Sequence, residues 1–308
     1  MTEPDSTRPP PKKILLATDL SARCDRALDR AVALAATWQA ELVVVHAMEQ
    51  TDDFYATVLE ERLPSWRRLS DPAAVVAEQM RRDMLQAAPN VVTIAEKGEP
   101  DEVVLQAAKK HGCDLIVTGI ARDETLGRFG LGTTVDRLLR RSRLPVLVVK
   151  ERVRAPYANI VVATDFSSSS REALRVAAGF FPERKLHLFH GFEPPGIGLV
   201  SEPDRYREQC RQSVTRECAS FLAGAGLPAD RTRHFGLIIE EGDPGDLIRQ
   251  YVRDRGADLV VLGTQGRSAL ADLFLGSTAR NILSSLPCDA LAVREPDAPA
   301  EGERAAAR

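Results

Sequence analysis

Long apolar runs are missing from this 308-residue chain. No stretch approaches the roughly 20 apolar residues of a membrane span, so no membrane partner is expected. Residues 1–12 hold Pro4, Pro9, Pro10 and Pro11 and lack the apolar core of a secretory signal. Cysteine is sparse: Cys24, Cys113, Cys210, Cys218 and Cys288 are odd in number and form no CxxC. That pattern argues against a disulfide framework and for a reducing, cytoplasmic location. Charge of one sign is not in excess either. The formal net charge is −3, which gives no basis for general nucleic-acid binding. One basic cluster, Arg137, Arg140, Arg141 and Arg143, reads most simply as a solvated helix face, and more sharply as an anion-binding patch.

What is present is said twice. Lys13-Ile14-Leu15-Leu16-Ala17-Thr18-Asp19 returns as Asn159-Ile160-Val161-Val162-Ala163-Thr164-Asp165. Gly98-Glu99-Pro100 returns as Gly242-Asp243-Pro244, and Gly132-Thr133-Thr134 as Gly276-Ser277-Thr278. Leu144-Pro145 returns as Leu286-Pro287. The order of motifs is kept over each half, so the chain is a duplicated domain. The halves span 13–150 and 158–294, with a linker from Lys150 to Tyr157 and flexible tails at 1–12 and 295–308.

Within each half, short apolar runs alternate with helical spacing. In the first half, strands are expected near 13–18, 41–46, 91–96, 114–119 and 145–149. Helices are expected near 22–37, 72–87, 100–111 and 132–142. This is the pattern of an α/β fold: two doubly wound, five-stranded parallel-sheet domains with helices on both faces. Such sheets bind ligands beyond the carboxyl ends of their strands.

The sharpest motif lies on that edge. Gly263-Thr264-Gln265-Gly266 follows the apolar run Leu259 to Leu262, and Gly276-Ser277-Thr278 opens a helical stretch. A glycine-marked turn feeding a helix N-terminus offers backbone N–H groups and a favourable dipole to a phosphate. Ser277 and Thr278 add hydroxyls. The bland alternative is that the glycines only make turns.

With these residues in view, the chain resembles a tandem universal stress protein over both halves. The family's nucleotide pattern is glycine, two residues, glycine, nine residues, glycine, then serine or threonine. The second half carries it in full at Gly263, Gly266, Gly276 and Ser277. The resemblance implies an adenine-nucleotide alpha-hydrolase-like fold and ATP as cofactor, with magnesium left open and no metal ligand assigned. It places Ala163, Thr164, Asp165 and Gly191, beside His190, near the adenine. It wraps ribose and phosphates with Gly263, Thr264, Gln265, Gly266, Arg267 and Ser268, and gives the phosphates Gly276, Ser277 and Thr278. It also implies intramolecular pairing of the halves through their last strands, with a homodimer of chains as a further partner.

The first half departs from the pattern at Arg122, where the second glycine belongs. Arginine opposes positive φ and crowds a phosphate, and Asp123 and Glu124 would repel one. Binding there is expected to be weak or absent. No catalytic residue is assigned: no acid or base can be placed to activate water, and no Walker-type lysine follows the glycines. The function implied is therefore an ATP-binding stress-response protein with little or no turnover. Its alternatives are an ATP-using transferase or hydrolase, and an interaction protein with a vestigial site.

Overall fold

The computed structural model describes residues 7–22, 24–48, 71–84, 90–120, 131–266 and 275–295. The first half runs β1 (Lys13–Thr18), α1 (Asp25–Trp38), β2 (Glu41–Met48), α2 (Pro72–Met84), β3 (Val92–Lys97), α3 (Pro100–His111), β4 (Leu115–Thr118), α4 (Thr133–Arg141) and β5 (Val146–Val148). The second runs β6 (Ile160–Ala163), α5 (Ser168–Phe180), β7 (Leu186–Phe192), α6 (Pro203–Ala223), α7 (Ala229–Thr232), β8 (Gly236–Glu241), α8 (Pro244–Arg255), β9 (Leu259–Gly263), α9 (Ser277–Ser285) and β10 (Asp289–Val293).

Local chemistry sets these boundaries. Ile14, Leu15 and Leu16 are fully buried in succession, as expected of a strand covered on both faces. α1 buries Ala27, Arg30, Ala31 and Leu34, and α5 buries Ala173, Val176, Ala177 and Phe180 with the same helical spacing. α3 and α8 each open on a proline and close on a left-handed glycine, Gly112 or Gly256.

All ten strands form one sheet in the order β3-β2-β1-β4-β5-β10-β9-β6-β7-β8. Pairing within each half is parallel. β5 and β10 meet antiparallel, with Leu147 opposite Leu291, Val148 opposite Ala290 and Val146 opposite Ala292. The halves are thus related by an approximate twofold through this seam. Helices α1, α2, α5 and α6 cover one sheet face, and α3, α4, α8 and α9 the other. Each apolar layer crosses the seam: Trp38 of α1 lies 5.6 Å from Phe180 and 5.7 Å from Phe181.

One sequence expectation is corrected here. Leu144-Pro145 and Leu286-Pro287 look equivalent in sequence, but strand register says otherwise. Val146 pairs with Ile116, and Ala290 with Val260, so Asp289 stands where the first half has Pro145. The basic cluster fits its simpler reading as an exposed helix face, and its members Arg137, Arg140 and Arg141 are engaged with acids. Arg137 bonds to Glu99 and Asp101, Arg141 to Asp101 and Glu102, and Arg140 to Asp136. Asp101, 1 % exposed at its side chain, thereby serves as a buried anchor for two arginines.

Candidate functional site

The site begins at the turn after β6. Phe166 N–H donates to Thr164 Oγ1 at 2.9 Å, and Ser167 N–H donates to Asp165 Oδ1 at 3.0 Å. Phe166 has φ 63°, a conformation that bulky residues resist. The first half repeats the turn with Leu20 at φ 59°, Leu20 N–H on Thr18 Oγ1 and Ser21 N–H on Asp19 Oδ1. This geometry therefore belongs to the fold and is kept in both halves. His190 braces it: Nδ1 lies 2.8 Å from Thr164 O, and the ring stacks on Phe166 at 4.3 Å. A carbonyl only accepts, so Nδ1 carries the proton. His46 does the same to Thr18 O at 3.0 Å. The repeated histidine is a positioning group for the turn.

The second wall comes from the loop after β9. Gly276 N–H donates to Thr264 O at 3.0 Å, tying the start of α9 to the end of β9. Thr264 is turned inward, only 4 % exposed, and does not line the cavity; its N–H donates to Val293 O. None of Gly263, Gly266 and Gly276 has positive φ, so turn geometry is not what they supply. A Cβ on Gly263 would fall 2.5 Å from Ser169 Oγ and 2.7 Å from the Ser169 carbonyl carbon, so this glycine lets β9 and α5 touch. Gly191 plays a similar part: a Cβ there would sit 2.9 Å from Pro244 Cα. A Cβ on Gly266 would lie 3.2 Å from Asp165 Oδ2.

Gly276 is different. It is the N-cap of α9 at φ −56° and ψ 144°, and a Cβ there would meet no atom of the described residues nearer than 3.7 Å. Among the described residues, nothing requires a glycine at that place. It also offers no side-chain cap, so the N–H groups of Ser277, Thr278 and Ala279 have no helical partner and point outward. Open donors beside a bare Cα make room for an acceptor to approach the backbone.

These elements surround a cavity of about 600 Å³, within the range of small-molecule sites. Ala163, Asp165, His190, Gly191, Gly263, Gln265, Gly266, Gly276, Ser277 and Thr278 line it, together with Thr164. Arg267 and Ser268 lie outside the described residues. The sequence did not single out its apolar walls, Phe189, Pro244, Ile248, Leu262, Leu275 and Ile282, nor Ser170. Ser170 Oγ lies 2.9 Å from Thr164 Oγ1 and donates to Ser167 O, so it rigidifies the turn. The sequence signal of the apolar walls is that of ordinary core: Ile248 and Ile282 follow the helical spacing of α8 and α9, and Phe189 and Leu262 lie in the apolar runs of β7 and β9. Asp165 is the one ionisable acid among the described lining residues. Among the described residues, no three His, Cys, Asp or Glu side chains gather as a metal site.

The corresponding first-half cavity, about 380 Å³, is lined by Thr18, Asp19, Gly119, Gly132 and Thr133, with Cys24. Arg122, Asp123 and Glu124 lie outside the described residues. Burial pushes the Cys24 thiol up to about 11, Cys113 to about 11 and Cys288 to about 12, so these thiols stay protonated at neutral pH. A larger groove of about 930 Å³ runs beside Asn159, Tyr251 and Ala257. It adjoins the amino ends of β6 and β9, away from the edge where such sheets bind ligands.

Comparison with known proteins places this architecture. The universal stress protein family model matches twice, at residues 10–150 and 156–294. Universal stress protein E of Escherichia coli (strain K12) is 23 % identical over 242 residues, covering 73 % of this chain and 75 % of its own length. A universal stress protein of Thermus aquaticus is 36 % identical over 144 residues, 45 % of this chain and 99 % of its own. A universal stress protein structure from Archaeoglobus fulgidus superposes with TM-score 0.67 at 19 % identity, covering 92 % of this chain and 98 % of that one.

Proposed function

The chain belongs to the universal stress protein family, and from that membership we propose that it is a cytoplasmic stress-response protein that holds ATP in the cavity of its second half and acts through the bound state. The observation that carries this reading is Gly276, where a bare Cα and open α9 N–H groups coincide. Backbone donors and the hydroxyls of Ser277 and Thr278 hold the phosphates. Asp165, His190 and Gly191 flank the base, and the apolar walls exclude water from it. Any magnesium arrives on the nucleotide's own phosphates. Charge-assisted hydrogen bonds of about 1.5–3 kcal/mol each make micromolar affinity attainable.

Turnover is slow or absent in this reading. Asp165 lies by the base in this reading, and His190, the other ionisable residue of the described lining, is committed to the turn through Nδ1 on Thr164 O and its stack on Phe166. ATP then shifts the protein between states only by its differential affinity for them. The test is the nucleotide content of freshly purified protein. About one adenine nucleotide per chain is expected; protein that arrives empty and ignores added ATP in calorimetry would leave the interaction-protein reading in its place.

A further inference from the structure

The β5–β10 seam joins two copies of one fold, so each seam residue has a counterpart in the other half. Along α1 and α5 the buried positions match: Ala27, Arg30, Ala31 and Leu34 answer to Ala173, Val176, Ala177 and Phe180. Along the last helix and strand, register sets Asp289 against Pro145, and Asp136 against Arg280.

The seam carries its charges unequally. Arg30 Nε lies 3.3 Å from Asp289 Oδ2, with side chains 5 % and 0 % exposed. It is a charge contact rather than an aligned hydrogen bond; Arg30 Nη1 donates instead to Ala155 O. Asp289 also accepts from the Lys150 and Glu151 N–H groups and from the Tyr157 hydroxyl at 2.6 Å. At the twofold-related place stand Val176 and Pro145, both buried and apolar. A second, more exposed pair links Arg280 Nη2 and Asp136 Oδ1 at 2.5 Å, each residue meeting its own counterpart. In the ladder itself, valines of β5 face alanines of β10.

We propose that this seam selects its partner: it accepts the other half of the same chain and rejects a second copy of either half. Two first halves would set two Arg30 guanidinium groups opposite Pro145 and bring two Asp136 carboxylates together. Two second halves would bury two Asp289 carboxylates opposite Val176 and bring two Arg280 side chains together. Each arrangement leaves buried charge without its counter-charge, which costs far more than a matched pair gains. A wholly apolar seam would hold the halves at least as well. What the ion pairs add is discrimination against the wrong partner. Two chains therefore do not join through this seam as like halves.

Hydrogen exchange on the full chain tests the proposal. Arg30→Val gives Asp289 the neighbour it would meet in a pair of second halves. Asp289→Asn takes away the counter-charge of Arg30, as a pair of first halves would, while keeping an oxygen for the Lys150 and Glu151 N–H groups. Each should raise amide exchange in β5 and β10 at least about tenfold while β1 and β6 stay near the parent. The double variant Arg30→Val/Asp289→Asn, uncharged on both sides and still offering an oxygen to the Lys150 and Glu151 N–H groups, should return close to the parent. Arg280→Asp, on the exposed pair, should loosen the same strands by a few-fold, and the paired variant Asp136→Asn/Arg280→Asp, which removes the repulsion without setting a new positive charge beside Arg140, should recover most of the loss. This pair keeps the test decisive if a buried variant does not fold. The proposal falls if the single variants exchange like the parent, if exchange rises equally in every strand, or if the paired variants fail to recover.

Discussion

Lys150 and Arg294 stand at the same position after the last strand of each half, and each donates to the other half's final helix. Lys150 Nζ reaches Leu283 O at 2.5 Å and Leu286 O at 2.9 Å, at the C-terminal end of α9. Arg294 Nη1 reaches Arg140 O at 2.7 Å, at the end of α4. Positive charge at a helix C-terminus is favourable against the dipole. The two are not equal in burial. Lys150 is 3 % exposed, whereas Arg294 is half-buried.

Burial pulls Lys150 down to about 8 from its ordinary 10.5, against the opposing pull of Cys288 and Asp289. Between those two values the unfolded chain binds the proton more tightly than the folded one. Stability from this group therefore rises with pH from about 8 to about 10.5, and is lowest and constant below that window. Denaturant melts of the parent and Lys150→Met should show the difference in unfolding free energy moving toward the parent by up to about 3 kcal/mol across the window. A difference that does not change with pH would show that the ammonium is hydrated.

Gly276→Ala separates ligand approach from folding. The new Cβ meets no atom of the described residues nearer than 3.7 Å, so the unfolding free energy should change by no more than about 1 kcal/mol. Nucleotide affinity, read by calorimetry, should fall at least about tenfold, or about 1.4 kcal/mol. Equal affinity in the two proteins would remove the argument for a phosphate at α9.

The halves should differ in stoichiometry. Titration with ATP is expected to show one tight site per chain. Gly266→Arg, which copies Arg122 of the first half, should abolish most of that binding, since a side chain there crowds Asp165. Arg122→Gly should raise first-half binding if the arginine is the obstacle. Two tight sites in the parent would contradict the assignment.

Steady-state ATP hydrolysis should fall far below the enzyme median of about 10 per second. Ser277→Ala should weaken binding modestly and leave the residual rate per bound nucleotide unchanged. Loss of that rate with ATP still bound would give the hydroxyl a part in chemistry.

Much of the fold is legible in the sequence because apolar burial is written as runs and helical spacing. Lys13 to Thr18 reads as a strand and is one, and Pro100 and Gly112 bracket α3 as their backbone preferences require. The cavity's polar rim is legible for the same reason: glycines and hydroxyls recur at fixed offsets. Its apolar walls are not, because Ile248 or Ile282 looks like any buried face of a helix. The glycines mislead in another way. Gly263 suggests a turn, yet it serves a close approach to Ser169 that only three-dimensional packing reveals. Asp289 is harder still. Matching Leu286-Pro287 to Leu144-Pro145 hides its counterpart, and only strand register sets it at the place of Pro145, fully buried against Arg30.

The antiparallel joint of β5 and β10 has a directional consequence. Strands of the two halves point opposite ways, so their carboxyl ends, and the two cavities built on them, open at opposite ends of the sheet. The molecule has a front and a back, despite its repeated plan. A visitor docked over one opening has the full width of the sheet between itself and the other. It can therefore touch only one of the two openings.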